Sequence, residues 1–332
     1  MGEGSKAYAE KPSQRIPLSL HKRKLMSVAR NHLPHPFPYQ GSKRWLAPTI
    51  CACIPKETNT LYEPFAGSAA VSIYAAANAL ANHFVIGDLH KPIADLWDAI
   101  INNPHDLADE YERLWHEQHN FGKAHFNEVR KAFNQEPQPP AFIYLLARCV
   151  KAAVRYNKNG DFNNTADHRR CGIRPLSLRD NIIRTSRLFT GKSQVSNAGY
   201  LDTLRDAGSS DVIYLDPPYQ GTSGERDNRY VKGLSFSEFC DGLRSLVEKD
   251  LSLIVSYDGR IGDKIYGQRL PDSLKLRKFE VKSGRSTQET LLGRDGVTYE
   301  SLYISDCLLD RIDRLPRLLE GLPIFPEEIL LL

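Results

Sequence analysis

Asp216 stands where a carboxylate can hold an amino group. The stretch DVIYLDPPYQG, residues 211–221, contains four mostly β-branched or aromatic residues, Val212 to Leu215, that read as a buried strand. Two consecutive prolines end it, since they offer no N–H to a ladder. Asp216 thus falls at the strand's carboxyl end, the edge at which open α/β sheets bind ligands. The Pro217-Pro218 pair fixes the backbone so that Asp216, the Pro217 carbonyl and the Tyr219 ring face one small space. An acidic acceptor and a carbonyl suit an exocyclic NH2, and an aromatic face suits the planar ring that bears it. The plainer alternative is a strand that ends in a proline-rich turn with Asp216 as a cap.

Three earlier stretches have the character of a binding pocket. In FPYQGSKRWLAPTI, residues 37–50, the Gly41-Ser42 turn opens a predicted helix with Tyr39 before it and Lys43 near its start. A lysine is unfavourable at that end of the helix dipole, which points to an external anion as its partner. LYEPFAGSAAVSIYAAANALA, residues 61–81, reads as strand, tight turn and Ala-rich helix, and Gly67 and Ser68 let backbone N–H groups approach a ligand. HFVIGDLH then ends a second strand at Asp88, about 20 residues past the turn, the placement that bonds ribose hydroxyls. Taken alone, Asp88 reads as a cap for a helix over 91–101.

These residues need a sheet to hold them, and 332 residues suffice for a catalytic domain with a smaller appended or inserted one. Seven strands are predicted: those leading to Glu63, Asp88 and Asp216, together with SQVSNAGY, LSLIVSYDG, Lys275 to Lys282 and YESLYIS. From about 102 to 187 the pattern turns helical, with helices over 106–117 and 140–153. That span is too long for one crossover and reads as an insert. Its tip, VRYNKNGDFNNTADHRRCG, is rich in Asn, Gly and Arg. Net charge is only +4, yet residues 151–187 hold nine Lys or Arg against three Asp, the local excess a phosphate-tracking surface needs. The polar, basic start (residues 1–30) reads as a poorly ordered arm, and the apolar, proline-broken tail 309–332 as docking on its own domain. The loop 221–233 is suited to close over a substrate, and Arg285 and Arg294 to reach phosphates. No apolar run is long enough for a membrane span, and six scattered cysteines form no zinc signature, so no metal is expected and a reducing cytoplasm is the expected home.

In the order aromatic-x-Gly-x-Lys, EPFAG, RYN…FN and DPPY, the span from about 37 to 305 resembles the D12 class (Dam-type, class alpha) N6-adenine DNA methyltransferases. The resemblance implies an α/β fold, a Rossmann-like seven-stranded methyltransferase sheet with an inserted, mostly helical DNA-recognition subdomain. It implies a catalytic domain of 31–101 and 188–308, and a target-recognition insert of 102–187. S-adenosylmethionine is the implied cofactor, held by Tyr39, Lys43, Glu63, Phe65, Gly67, Ser68, Asp88 and Asp216. Catalysis falls to Asp216, Pro217, Pro218 and Tyr219, and DNA contact to Arg155, Tyr156, Asn157, Asn163, Arg169 and Arg170. Double-stranded DNA is the implied partner, alongside a cognate restriction endonuclease and without a membrane. Three departures stand out: Tyr39 where most members have Trp, Ala69 in place of the second glycine of the turn, and no VPFG run after Asn163. The Ala69 methyl is expected to narrow the room for cofactor. N4-cytosine methylation, RNA methylation, and a DNA-binding protein with a decayed methyltransferase fold are the alternatives.

Overall fold

The computed structural model describes residues 33–167, 169–218, 234–261, 264–285 and 297–312. Tyr219, the arm, the 221–233 loop, Arg294 and all but the first residues of the tail lie outside them.

Among the described residues eight strands form one sheet: β1 (Thr60–Glu63), β2 (His83–Gly87), β3 (Ser193–Ser196), β4 (Val212–Leu215), β5 (Leu253–Ile261), β6 (Lys264–Tyr266), β7 (Leu276–Arg285) and β8 (Val297–Ser305). Their order is β3-β2-β1-β4-β5-β8-β7, with β6 paired to the end of β5. The seven strands on the main path are those the sequence predicts, and the three-residue β6 is additional. The first five run parallel, and β8 lies antiparallel between β5 and β7. The chain winds outward from β1 in one direction and from β4 in the other, so these neighbours flank the crevice where an open sheet takes its ligands.

Both faces of the sheet are covered, which is why β1 and β4 are buried at every position instead of alternating. Alternation sorts side chains between two cores instead. Val212 and Tyr214 of β4, Ile254 of β5, and Leu302 and Ile304 of β8 join one core. Ile213 and Leu215, Leu253 and Val255, and Tyr303 join the other.

Helices α1 (Ala47–Cys51), α2 (Ala70–Ala77), α3 (Lys91–Asn102), α4 (Pro104–Gln135), α5 (Pro139–Arg148) and α6 (Pro175–Phe189) pack on the first face. The short α7 (Tyr200–Thr203) and α8 (Phe236–Val247) contribute to the second, and α9 (Asp306–Asp310) follows β8. α8 begins with a reciprocal cap in which Ser235 Oγ accepts from the Glu238 N–H while the Glu238 carboxylate accepts from the Ser235 N–H.

α4 is far longer than the helix expected over 106–117. Phe126, Val129 and Phe133 are buried at helical spacing and extend the apolar stripe through its second half. The hairpin after α5 is closed by bridges Cys149–Ala166 and Tyr156–Phe162. Phe162 is fully buried against Phe133 and Phe142, whose rings stack at 5.2 Å. Phe133, Phe142 and Phe162 thus belong to the same core as the first face of the sheet.

Candidate active site

Glu63, Asp88 and Asp216 sit at or just past the carboxyl ends of β1, β2 and β4, and all three line a single cavity of about 660 Å3. Of the residues the sequence assigns to donor and catalysis, Tyr39, Lys43, Phe65, Gly67, Ser68, Pro217 and Pro218 line it as well. Only Tyr219 is missing from this set, being outside the described residues.

The glycine turn is clamped on three sides. Its Gly67 N–H donates to Asp88 Oδ2 at 3.0 Å, the Gly67 carbonyl accepts from Trp97 Nε1 at 2.8 Å, and Ser68 Oγ donates to Ser42 Oγ at 2.7 Å. Gly67 has φ +47°, and a Cβ there would stand 2.7 Å from the Tyr39 ring, so only glycine lets the two cavity walls meet. Ala69 differs from expectation: its methyl is buried in the core and takes no part in lining the cavity. What the alanine imposes is backbone strain, since it holds the left-handed conformation (φ 43°, ψ 43°) ahead of α2, at roughly 1–2 kcal/mol for an L-residue.

Asp88 accepts from the Gly67 N–H through one oxygen and from the His90 N–H at 2.9 Å through the other. It thus ties the turn to the start of α3, and each oxygen keeps a lone pair for a ligand. Burial nevertheless pushes its carboxyl up to about 6, outweighing the two backbone bonds. Glu63, which accepts from the Ser72 N–H at 2.8 Å, is pushed up to about 7, mainly by burial and in lesser part by the charge of Asp216.

Lys43 does not lie at a helix start. α1 begins at Ala47, and Lys43 occupies the preceding turn, where its carbonyl accepts from the Leu46 and Ala47 N–H groups. Its ammonium lies 3.0 Å from Asp216 Oδ1 and 3.3 Å from Glu300 Oε2, so carboxylates of this chain supply the anion that the helix-dipole argument sought outside it.

Residues between 102 and 187 also reach the cavity, through Phe133, Asn134, Pro137, Tyr156 and Gly160. Asn134 grips the hairpin, accepting from the Phe162 N–H at 2.8 Å and donating to its carbonyl at 3.1 Å. Tyr156, expected at the DNA, is half-buried instead, with its hydroxyl 2.5 Å from His90 Nε2. Burial pushes His90 down to about 4, so the imidazole is neutral at physiological pH.

Asn157 is committed within the hairpin turn. Its amide oxygen accepts from the Asn159 and Asp161 N–H groups, both at 2.9 Å, and its NH2 donates to Asp161 Oδ2 at 3.0 Å. This geometry accounts for Asn157 without a base edge. Asn157→Ala is accordingly expected to lower stability by about 1–2 kcal/mol and to weaken binding of preferred and scrambled duplexes alike. Thermal melting and binding to both duplexes check this, and loss confined to the preferred duplex would restore a base-reading role.

Arg155, Asn163, Arg169 and Arg170 are exposed, the last two lying 3.6 and 3.9 Å from Asp167. Other members of the basic window are engaged: Arg179 pairs with Asp109 and Glu112, and Arg184 with Asp180. The residues sequence reasoning overlooked are Glu300, His90, Phe133 and Asn134. Of these only Glu300 carried a local signal, as a carboxylate inside a strand of otherwise apolar or small residues.

Residues 39–283 match the sequence model of the D12 class N6 adenine-specific DNA methyltransferases. Over 272 residues the chain is 27% identical to a DNA adenine methylase of Vibrio cholerae, covering 78% of this chain and 91% of the relative. It is 27% identical over 211 residues to the modification methylase StsI of Streptococcus sanguinis, covering 60% of this chain. It is 25% identical over 189 residues to a DNA N-6-adenine-methyltransferase of Escherichia phage P1, covering 55% of this chain. These matches span only 30% and 24% of those two longer relatives. With the family's motifs gathered around one cavity at the sheet's switch point, the chain belongs to the D12 class N6 adenine-specific DNA methyltransferases.

Proposed function

We propose that this chain transfers a methyl group from S-adenosylmethionine to N6 of adenine in double-stranded DNA. The observation that carries the reading is one cavity bounded by a clamped glycine turn, two strand-end acids at Glu63 and Asp88, and the DPPY acid Asp216. Its volume is within the range of small-molecule sites, and its acidic wall matches a cationic donor. Bound there, S-adenosylmethionine supplies an electrophilic methyl on a sulfonium. Tyr39, Phe65, Gly67 and Ser68 bound the donor region, with Asp88 holding the ribose, Glu63 meeting the donor's positive charge and Lys43 standing behind Asp216. Among the described residues no cluster of side chains is suited to a metal, and the proposed transfer routes no step through one.

N6 of adenine is a poor nucleophile because its lone pair is delocalised into the ring. Hydrogen bonds from its two N–H groups to Asp216 and the Pro217 carbonyl favour a pyramidal nitrogen with the pair aimed at the methyl. Because duplex stacking hides N6, the base must swing out, at a cost of a few kcal/mol, and stacking on Tyr219 offsets part of it. Residues 102–187 act as the target-recognition insert, with Arg155, Asn163, Arg169 and Arg170 facing the DNA. The modification methylase name of a relative supports pairing with a restriction endonuclease in the cytoplasm. No helix among the described residues is long and apolar enough to cross a membrane.

Incubation of the full chain with methyl-labelled donor and duplex DNA, followed by digestion to nucleosides, is expected to yield N6-methyladenine. N4-methylcytosine would transfer the reading to the other amino base. Donor binding without incorporation into DNA would overturn it, and preference for RNA in direct competition would reassign the substrate.

A further inference from the structure

We infer that Glu300 is a positioning residue for methyl transfer: it shares the charge of Lys43 so that the cluster around Asp216 keeps a net negative charge toward the substrate amino group. The inference rests on the reading of Asp216 as the N6 acceptor. Glu300 lies beyond the span that matches the family and does not line the cavity.

Lys43, Asp216 and Glu300 are 12%, 17% and 21% exposed at the side chain, so water screens their charges only in part. A lysine paired with Asp216 alone would make a neutral couple, and its N–H donors would compete with the adenine amino group for the carboxylate. A second carboxylate 3.3 Å from the same ammonium changes the balance. The three groups then carry one net negative charge, and the charge of the ammonium is shared between two carboxylates. Positive charge develops on N6 as its bond to the methyl forms and the sulfonium becomes a neutral thioether. A fixed negative site at that point is the preorganised electrostatics that lowers a barrier.

The fold holds Glu300 firmly. It faces Gly259 in the β5–β8 ladder, next to the register shift between Tyr257 and Gly259. A Cβ on Gly259 would lie 2.6 Å from the Tyr299 carbonyl oxygen, so the strands approach closely there. Glu300 Oε2 is shielded from solvent and, among the described residues, makes no hydrogen bond of regular geometry, with the Lys43 ammonium 3.3 Å away as its charge partner.

Glu300→Gln, Glu300→Asp and Asp216→Asn are compared as full chains by thermal melting, donor binding and single-turnover methylation of duplex DNA at saturating donor. Glu300→Gln is expected to slow the single-turnover rate at least tenfold with donor affinity changed less than threefold, and Glu300→Asp, which keeps the charge, to recover part of the rate. It serves as the readout should the glutamine variant not fold. In a Lys43→Met background, Glu300→Gln is expected to add little, because its effect runs through the lysine. A Glu300→Gln rate within twofold of the native one, a loss that resides wholly in donor affinity, or independent multiplication with Lys43→Met overturns the inference. If Asp216→Asn also transfers methyl normally, the acceptor reading itself has failed. If it is crippled while Glu300→Gln is not, only the role of Glu300 falls.

Discussion

Asp216→Asn is expected to slow methyl transfer about a thousandfold in a chain that still folds. The side chain sits past the end of β4, partly exposed, and contributes nothing to either core. Its replacement has the same shape but carries no charge, and can turn an NH2 toward the adenine amino group, setting donor against donor. Removing one positioned group that stabilises developing charge costs on the order of 10²–10³ in rate, and here Lys43 also loses a carboxylate. Single-turnover measurement at saturating DNA and donor isolates the step. A folded variant within fivefold of the native rate would rule out Asp216 as the N6 acceptor.

Donor affinity is expected to climb steeply as pH rises from 5.5 to 8. Glu63 is pushed up to about 7, first by burial and then by the charge of Asp216, and burial pushes Asp88 up to about 6. A raised carboxylic pKa means a neutral acid below it and an anion above it. A donor with a sulfonium and an ammonium gains most from the anion, so binding expels a proton wherever Glu63 is still protonated. If only ionised Glu63 binds, the dissociation constant falls roughly thirtyfold over this range. Glu63→Gln removes the titrating group and flattens the profile. Calorimetry in two buffers of different ionisation enthalpy counts the released proton directly, and a flat profile in the native chain would take Glu63 out of the donor's contacts.

The parts of this architecture legible in the sequence are those encoded within a few residues. Val212 to Leu215 reads as a strand because its apolar run is bounded by Asp211 and two prolines, and six similar segments supply the other strands of the main path, though not their order. The glycine turn and the DPPY acid were legible for the same reason, and the structure brings them to one cavity. What escaped depends on pairing across the chain. Glu300 reaches Lys43 only because β8 inserts between β5 and β7, a choice of neighbour that no local pattern states. Tyr156 sits beside a DNA-like motif, but its surroundings are set by His90, 66 residues earlier. The second half of α4, beyond the helix expected over 106–117, packs on Phe142 and Phe162, which come later in the chain.

The cavity wall built by Phe133, Asn134, Tyr156 and Gly160 bears on how such a protein diversifies. A recognition insert bound to its host only by linkers is an exchangeable cassette. Here the same segment walls the small-molecule pocket and is bonded into it through Asn134 and Tyr156. A chimera that borrowed residues 102–187 from a relative would replace part of that pocket along with whatever else the segment does. Exposed hairpin positions such as Arg155 and Asn163 can be substituted without touching that wall, whereas exchange of the whole segment demands compensating changes around His90.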